Sequence, residues 1–145
     1  MKILWESRMK RSIPILLAAL TLVVSSLACL ALGPETSLEN LRMAYDENGD
    51  KVTSTFSDSD VFYAVADLSN AAQDTVVKAV WTAVDAADTD PDYEIQEQSL
   101  DITEESFSGS IYFQLLNDEA WPAGLYRIDL YLNDTLAQSI EFNVE

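Results

Sequence analysis

The sequence predicts an all-β, antiparallel sandwich of about seven or eight strands, preceded by an N-terminal secretion leader. Three observations carry this prediction. Apolar and polar residues alternate with a period of two from Leu41 onward. Polar turn sequences such as Asn48-Gly49 and Asn133-Asp134 break the alternation at short intervals. No helical period follows the leader.

The leader is the first element. Met9-Lys10-Arg11 opens a basic segment and makes a better translation start than Met1, because Glu6 sits poorly in such a segment. Residues 13–27 are almost wholly apolar, interrupted by Pro14, Thr21, Ser25 and Ser26. Ser26-Leu27-Ala28 then sets small residues three and one positions before Cys29. A basic start, an apolar stretch and small residues at a cleavage site are the pattern of a signal peptide. Residues 1–28 are therefore read as a signal-peptide helix, with cleavage between Ala28 and Cys29. The apolar run is short against the roughly 20 residues of a membrane-spanning helix.

Residues 29–39, with Gly33 and Pro34, read as a tether, and residues 40–145 as the domain. Strand-like stretches then follow in order. Leu41–Tyr45 and Val52–Phe56 flank Asp46-Glu47-Asn48-Gly49-Asp50, whose Asn-Gly pair tolerates positive φ in a turn. Val61–Leu68 is rich in aromatic and β-branched residues. Thr75–Val84 sets Val77, Ala79, Trp81 and Ala83 on one face. Tyr93–Ile102 is weaker and reads as one strand or two short pieces. Phe107–Leu115 sets Phe107, Ile111, Phe113 and Leu115 on one face. Leu125–Leu132 points Tyr126, Ile128, Leu130 and Leu132 inward, and Arg127 and Asp129 outward. After the turn at Asn133-Asp134, Thr135–Val144 points Leu136, Ile140, Phe142 and Val144 inward. Strict alternation on both sides of a two-residue turn is the signature of a hairpin. Trp81, Tyr126, Ile128, Phe113 and Phe142 are the expected core.

Three features resemble known families. Trp81 in mid-strand, with Gly124-Leu125-Tyr126-Arg127-Ile128 near the end, resembles the immunoglobulin-like fold. There a tryptophan on one strand faces a later strand entered through a tyrosine corner. The resemblance implies that Tyr126 is the corner tyrosine, and that Ile128 stands where antibody domains carry a cysteine. Trp121-Pro122-Ala123-Gly124-Leu125-Tyr126 is similar to the C-terminal end of exported bacterial immunoglobulin-like or fibronectin-type-III-like domains. Ser26-Leu27-Ala28-Cys29 resembles a bacterial lipobox, in which the cysteine is diacylated and becomes the new N-terminus. That resemblance implies lipidation of Cys29 and a membrane held through this anchor. Ser26 stands where the pattern usually has leucine, so two alternatives stay open: plain secretion after ordinary cleavage, and an uncleaved anchor.

Composition removes several function classes. The 145 residues hold 8 basic and 25 acidic side chains, no histidine and one cysteine. Four basic residues lie before position 12. From Cys29 onward, Arg42, Lys51, Lys78 and Arg127 face 24 acids, a net charge of −20. Such a surface repels phosphate backbones and anionic lipid, so no nucleic-acid partner is expected. Without histidine, the Ser-His-Asp and Cys-His triads and most zinc sites fall away. One cysteine forms no internal disulfide.

Few candidate sites remain. Asp46–Asp50 mimics the start of a calcium loop, but Lys51 and Ser57 occupy the positions that need glycine and glutamate, so the segment is read as a turn. Asp85, Asp88, Asp90 and Asp92 offer hard oxygen ligands on one irregular loop, which suits Ca²⁺; otherwise no cofactor is expected. Trp121, Tyr112 and Tyr131 are candidates for an exposed aromatic platform that stacks on sugar rings. Paired carboxylates are the one catalytic chemistry left open. In so acidic and small a domain they give no specific signal, and a protein that is not an enzyme is expected. The expectation is a non-catalytic lipoprotein module at the outer face of a bacterial membrane, structural or binding a protein partner. The alternative is an extracytoplasmic module that binds carbohydrate or Ca²⁺.

Overall fold

The computed structural model describes residues 33–145. The expected signal-peptide helix, its cleavage site and Cys29 lie outside the described residues. Eight strands follow: β1 (Ser37–Ala44), β2 (Thr55–Phe56), β3 (Phe62–Ala72), β4 (Val76–Ala86), β5 (Tyr93–Asp101), β6 (Ser106–Leu115), β7 (Gly124–Leu132) and β8 (Thr135–Val144). They form two sheets, ordered β1-β3-β6 and β2-β8-β7-β4-β5. Every pairing is antiparallel except the short parallel one between β2 and β8. This is an immunoglobulin-like sandwich, in which the chain leaves the first sheet after β1 and joins the second at β2.

Period-two alternation builds the core. Val77, Ala79, Trp81 and Ala83 of β4 are buried beside Tyr126, Ile128 and Leu130 of β7. Ile111, Phe113 and Leu115 of β6 and Phe62, Ala64, Ala66 and Leu68 of β3 close the core from the other sheet. The small residues Ala79 and Ala83 flank Trp81 on its own strand and leave room for the indole, so large and small side chains interlock. Phe62 sits at the centre of an aromatic cluster that joins the sheets. Its ring lies 4.8 Å from Phe56, 5.0 Å from Phe142 and 4.8 Å from Trp121. Trp81 Nε1–H donates to Gln98 Oε1 at 3.1 Å, and Gln98 Nε2 donates to the Gln114 carbonyl at 2.8 Å. One glutamine thus satisfies the buried indole and links edge strand β5 to edge strand β6.

The structure departs from simple alternation at four places. Ser37–Glu39, part of the expected tether, instead pair with Ser69–Asp67, and a bulge with Asn40 at φ 56° hides the continuity with Arg42. The stretch Val52–Phe56 is not a hairpin strand: Val52 makes a single bridge to Ala44, and only Thr55–Phe56 is strand, in the opposite sheet. Asp46 organises that turn, accepting backbone N–H bonds from Asn48, Asp50 and Lys51 at 2.9–3.2 Å. Tyr93–Asp101 is one continuous edge strand, bulged between Glu94 and Gln96. Leu136 is 54% exposed, against the inward direction expected of it. The register shifts so that Tyr131 pairs Leu136 while Leu130 pairs Gln138. The unpaired Ala137 packs on the core in the place expected for Leu136.

The last hairpin turns through Asn133 and Asp134 at φ 46° and 67°, the two positive angles of the tightest hairpin loop. Asn133 also holds the start of β4. Its Oδ1 accepts the Val76 N–H and its own N–H donates to the Val76 carbonyl, both at 2.9 Å.

Candidate functional site

The two connections at one end of the sandwich form a concavity. The β4–β5 turn spans residues 87–92 and the β6–β7 connection spans residues 116–123. The Ala87 N–H donates to the Ala123 carbonyl at 2.9 Å and joins them. Asp88 and Asp92 take positive φ, a conformation aspartate tolerates through local hydrogen bonding. The Asp92 N–H closes the turn onto the Val84 carbonyl at 3.1 Å.

The other wall is fastened from below. Trp121 is only 7% exposed and stacks on Phe62. Its backbone N–H donates to the Asp58 carbonyl at 2.8 Å, and its indole N–H to the Asp60 carbonyl at 3.1 Å. Tyr126 Oη donates to the Pro122 carbonyl at 2.6 Å, which is the tyrosine-corner bond. Burial raises the Tyr126 pKa, so the phenol stays neutral. Gly124 permits this corner: it has φ 153°, and a Cβ there would overlap the Asp85 carbonyl oxygen and Ala86 Cα.

Between these walls lies an apolar pocket of about 220 Å³, lined by Ala83, Thr89, Tyr93, Ile95, Asn117, Trp121, Pro122 and Tyr126. A more open hollow of about 510 Å³, lined by Asp88, Thr89, Asp90 and Tyr93, adjoins it through Thr89 and Tyr93. Tyr93 is 54% exposed. Ile95 reaches the pocket because the β5 bulge turns it toward the core side of an otherwise exposed strand.

The predicted groups fall as follows. Asp88 and Asp90 share the hollow, whereas Asp92 lies 3.9 Å from Arg127 and Asp85 lies on β4 before the turn. Among the described residues, no three histidine, cysteine or carboxylate side chains converge to hold a metal ion, the four candidate aspartates included. The aromatic platform is not assembled either. Trp121 is buried. Tyr112 of β6 lies beside Tyr63 on the outer side of one sheet, and Tyr131 of β7 lies under Lys78 Nζ on the other sheet. Trp81, Tyr126, Ile128, Phe113 and Phe142 all lie in the core. Sequence reasoning missed Tyr93, Ile95, Asn117 and Pro122 as pocket residues. The Asp92-Tyr93 junction, an exposed aromatic at the foot of an acidic turn, was the available signal.

No protein-family model and no curated protein matches the chain. Solved structures are similar to it over part of their length. An alkylpurine DNA glycosylase from Pseudomonas fluorescens, bound to DNA with an abasic-site analogue, is similar at TM-score 0.50 and 13% identity, over 78% of this chain and 31% of that one. A β-glucosidase from Listeria innocua gives 0.49 and 13%, over 76% and 16%. One from Kluyveromyces marxianus gives 0.46 and 18%, over 77% and 14%. The chain thus spans less than a third of the length of these proteins. The expectation of a protein that is not an enzyme is corrected here: a sandwich of this form is part of an enzyme, the glycosylase, so a small domain of this shape does not exclude catalysis. At this identity the likeness concerns the fold, and no activity passes with it. The likeness agrees with the fold class that the strand order gives, a two-sheet, immunoglobulin-like β-sandwich.

Proposed function

We propose that the chain is an exported lipoprotein, anchored through Cys29, whose sandwich serves as a protein-interaction or structural module at the outer face of a bacterial membrane. The observation that carries this reading is the sequence Ser26-Leu27-Ala28-Cys29 behind a basic and apolar leader. Two further features support it. The chain enters β1 at Ser37, so few residues separate the proposed anchor from the folded domain. The charge of −20 from Cys29 onward gives this part no attraction of its own to anionic lipid, so attachment needs a covalent anchor. The carbohydrate and calcium readings gain no support from a buried Trp121 or from aspartates that do not converge.

Mass spectrometry of the processed N-terminus, with cross-linking in intact cells, tests the reading. A diacylated Cys29 and a specific cross-linked protein are expected. An unmodified Cys29 removes the anchor, and absence of any cross-linked protein removes the interaction role.

A further inference from the structure

Shape, ring chemistry and charge coincide at one place among the described residues, the pocket beneath the β4–β5 turn. We propose that it receives a single basic side chain, arginine before lysine, presented by a protein partner. The stem would lie on Ile95, Pro122 and Trp121, and the cation among Asp88, Asp90 and the Tyr93 ring. This deepens the interaction reading above and rests on it.

Size selects one side chain. The apolar part, about 220 Å³, admits an unbranched stem, and the adjoining hollow of about 510 Å³ takes its charged head. The lining explains the rest. An apolar floor takes the methylenes of a long side chain, as arginine and lysine stems do on apolar surfaces elsewhere. The exposed Tyr93 ring stands between floor and hollow, where a cation can meet its face. Charge is complementary and unspent: among the described residues no cation pairs with Asp88 or Asp90, since Arg127 is engaged by Asp129 at 2.9 Å and Asp92 at 3.9 Å. A planar guanidinium can stack on the tyrosine and bond a carboxylate in a bidentate manner, which ranks arginine first. The surrounding charge of −20 steers such a partner toward the domain.

The test uses the full ¹⁵N-labelled chain in neutral detergent micelles, titrated with N-acetyl-arginine N-methylamide and followed by NMR. Shifts are expected within residues 88–95 and 117–122, including the Trp121 indole N–H, with a weaker response to the lysine analogue. Asp88→Asn with Asp90→Asn should weaken binding several-fold, and Tyr93→Ala likewise. Glu104→Gln with Glu105→Gln, on another exposed turn, should leave it unchanged. Shifts spread over all acidic turns, no shifts, or the same local shifts with CaCl₂ would each overturn the proposal. Cross-linking separates the two readings. A partner held equally by the Asp88/Asp90 variant removes the pocket and leaves the interaction role; no partner with either protein removes that role.

Discussion

At the scale of single residues, polar groups at the ends and faces of the sandwich do specific work. Tyr126 joins the core to the pocket wall through its 2.6 Å bond to Pro122. Tyr126→Phe keeps the ring stack on Phe142 and removes only the hydroxyl. Chemical denaturation should show a loss of about 1–2 kcal/mol, the cost of an unmade hydrogen bond at a largely buried site. Tyr93→Phe, at an exposed ring, should cost nothing measurable; equal losses for both would refute a special role for the corner. Asp67 gathers Ser110 Oγ at 2.8 Å, Asn40 Nδ2 at 3.0 Å and Arg42 at 3.6 Å on the outer side of the three-stranded sheet. These contacts, Ser110 foremost, hold its carboxyl below the usual carboxylate range. A pKa lowered by folding gives stability that is present above the ordinary carboxylate pKa and is lost as pH falls through the lowered value. Thermal melts from neutral to acid pH should therefore show a destabilisation below the ordinary carboxylate range that is smaller in Asp67→Asn. An identical acid profile in the variant would show that Asp67 contributes none of it.

At the scale of elements, strand existence was legible and strand geometry was not. Period-two alternation marks the inner faces of β4, β6 and β7, because a side chain there lies either in the core or in water. Three of the four misses share one physical cause. A bulge inserts a residue that the period does not count, so Leu136 turns outward, Ala137 takes its place, and Ile95 reaches the pocket. Val52–Phe56 was legible as extended chain, yet its crossing to the second sheet depends on long-range packing of Phe56 that no local pattern encodes. The candidate site was less legible still. Its acidic rim is visible in the sequence, but its floor joins residues from β4, β5, the β6–β7 connection and β7 that only the fold assembles. The β7–β8 turn is the counterexample, since Asn133-Asp134 announces its own geometry. Asn133→Val forces a β-branched residue to φ 46° and removes the acceptor of the Val76 N–H. It should cost about 2 kcal/mol in urea denaturation. Thr135→Val, one step beyond the positive-φ pair, should stay within about 0.5 kcal/mol, and a comparable loss there would place the effect outside the turn.

At the scale of the whole molecule, charge is the dominant imbalance. The described residues carry 24 acids against four cations, and three of those cations are already paired: Arg42 with Asp67, Lys78 with Glu97, and Arg127 with Asp92 and Asp129. Most of these pairs are solvent-exposed and contribute only about 0–1 kcal/mol each. Repulsion among the remaining acids therefore outweighs attraction, and it opposes the compact state. Salt should act accordingly. Screening lengths shorten from roughly 30 Å near 0.01 M to roughly 10 Å near 0.1 M, which reaches across neighbouring turns of one face. The thermal midpoint at neutral pH should rise over that range. A variant with Glu104→Gln, Glu105→Gln and Asp118→Asn should melt higher at low salt and gain less from added NaCl. A midpoint that falls with salt would mean that the few ion pairs outweigh the repulsion. The same field bears on partner choice. Salt that stabilises the domain should weaken its capture of a basic partner, so folding and binding are expected to respond to ionic strength in opposite directions.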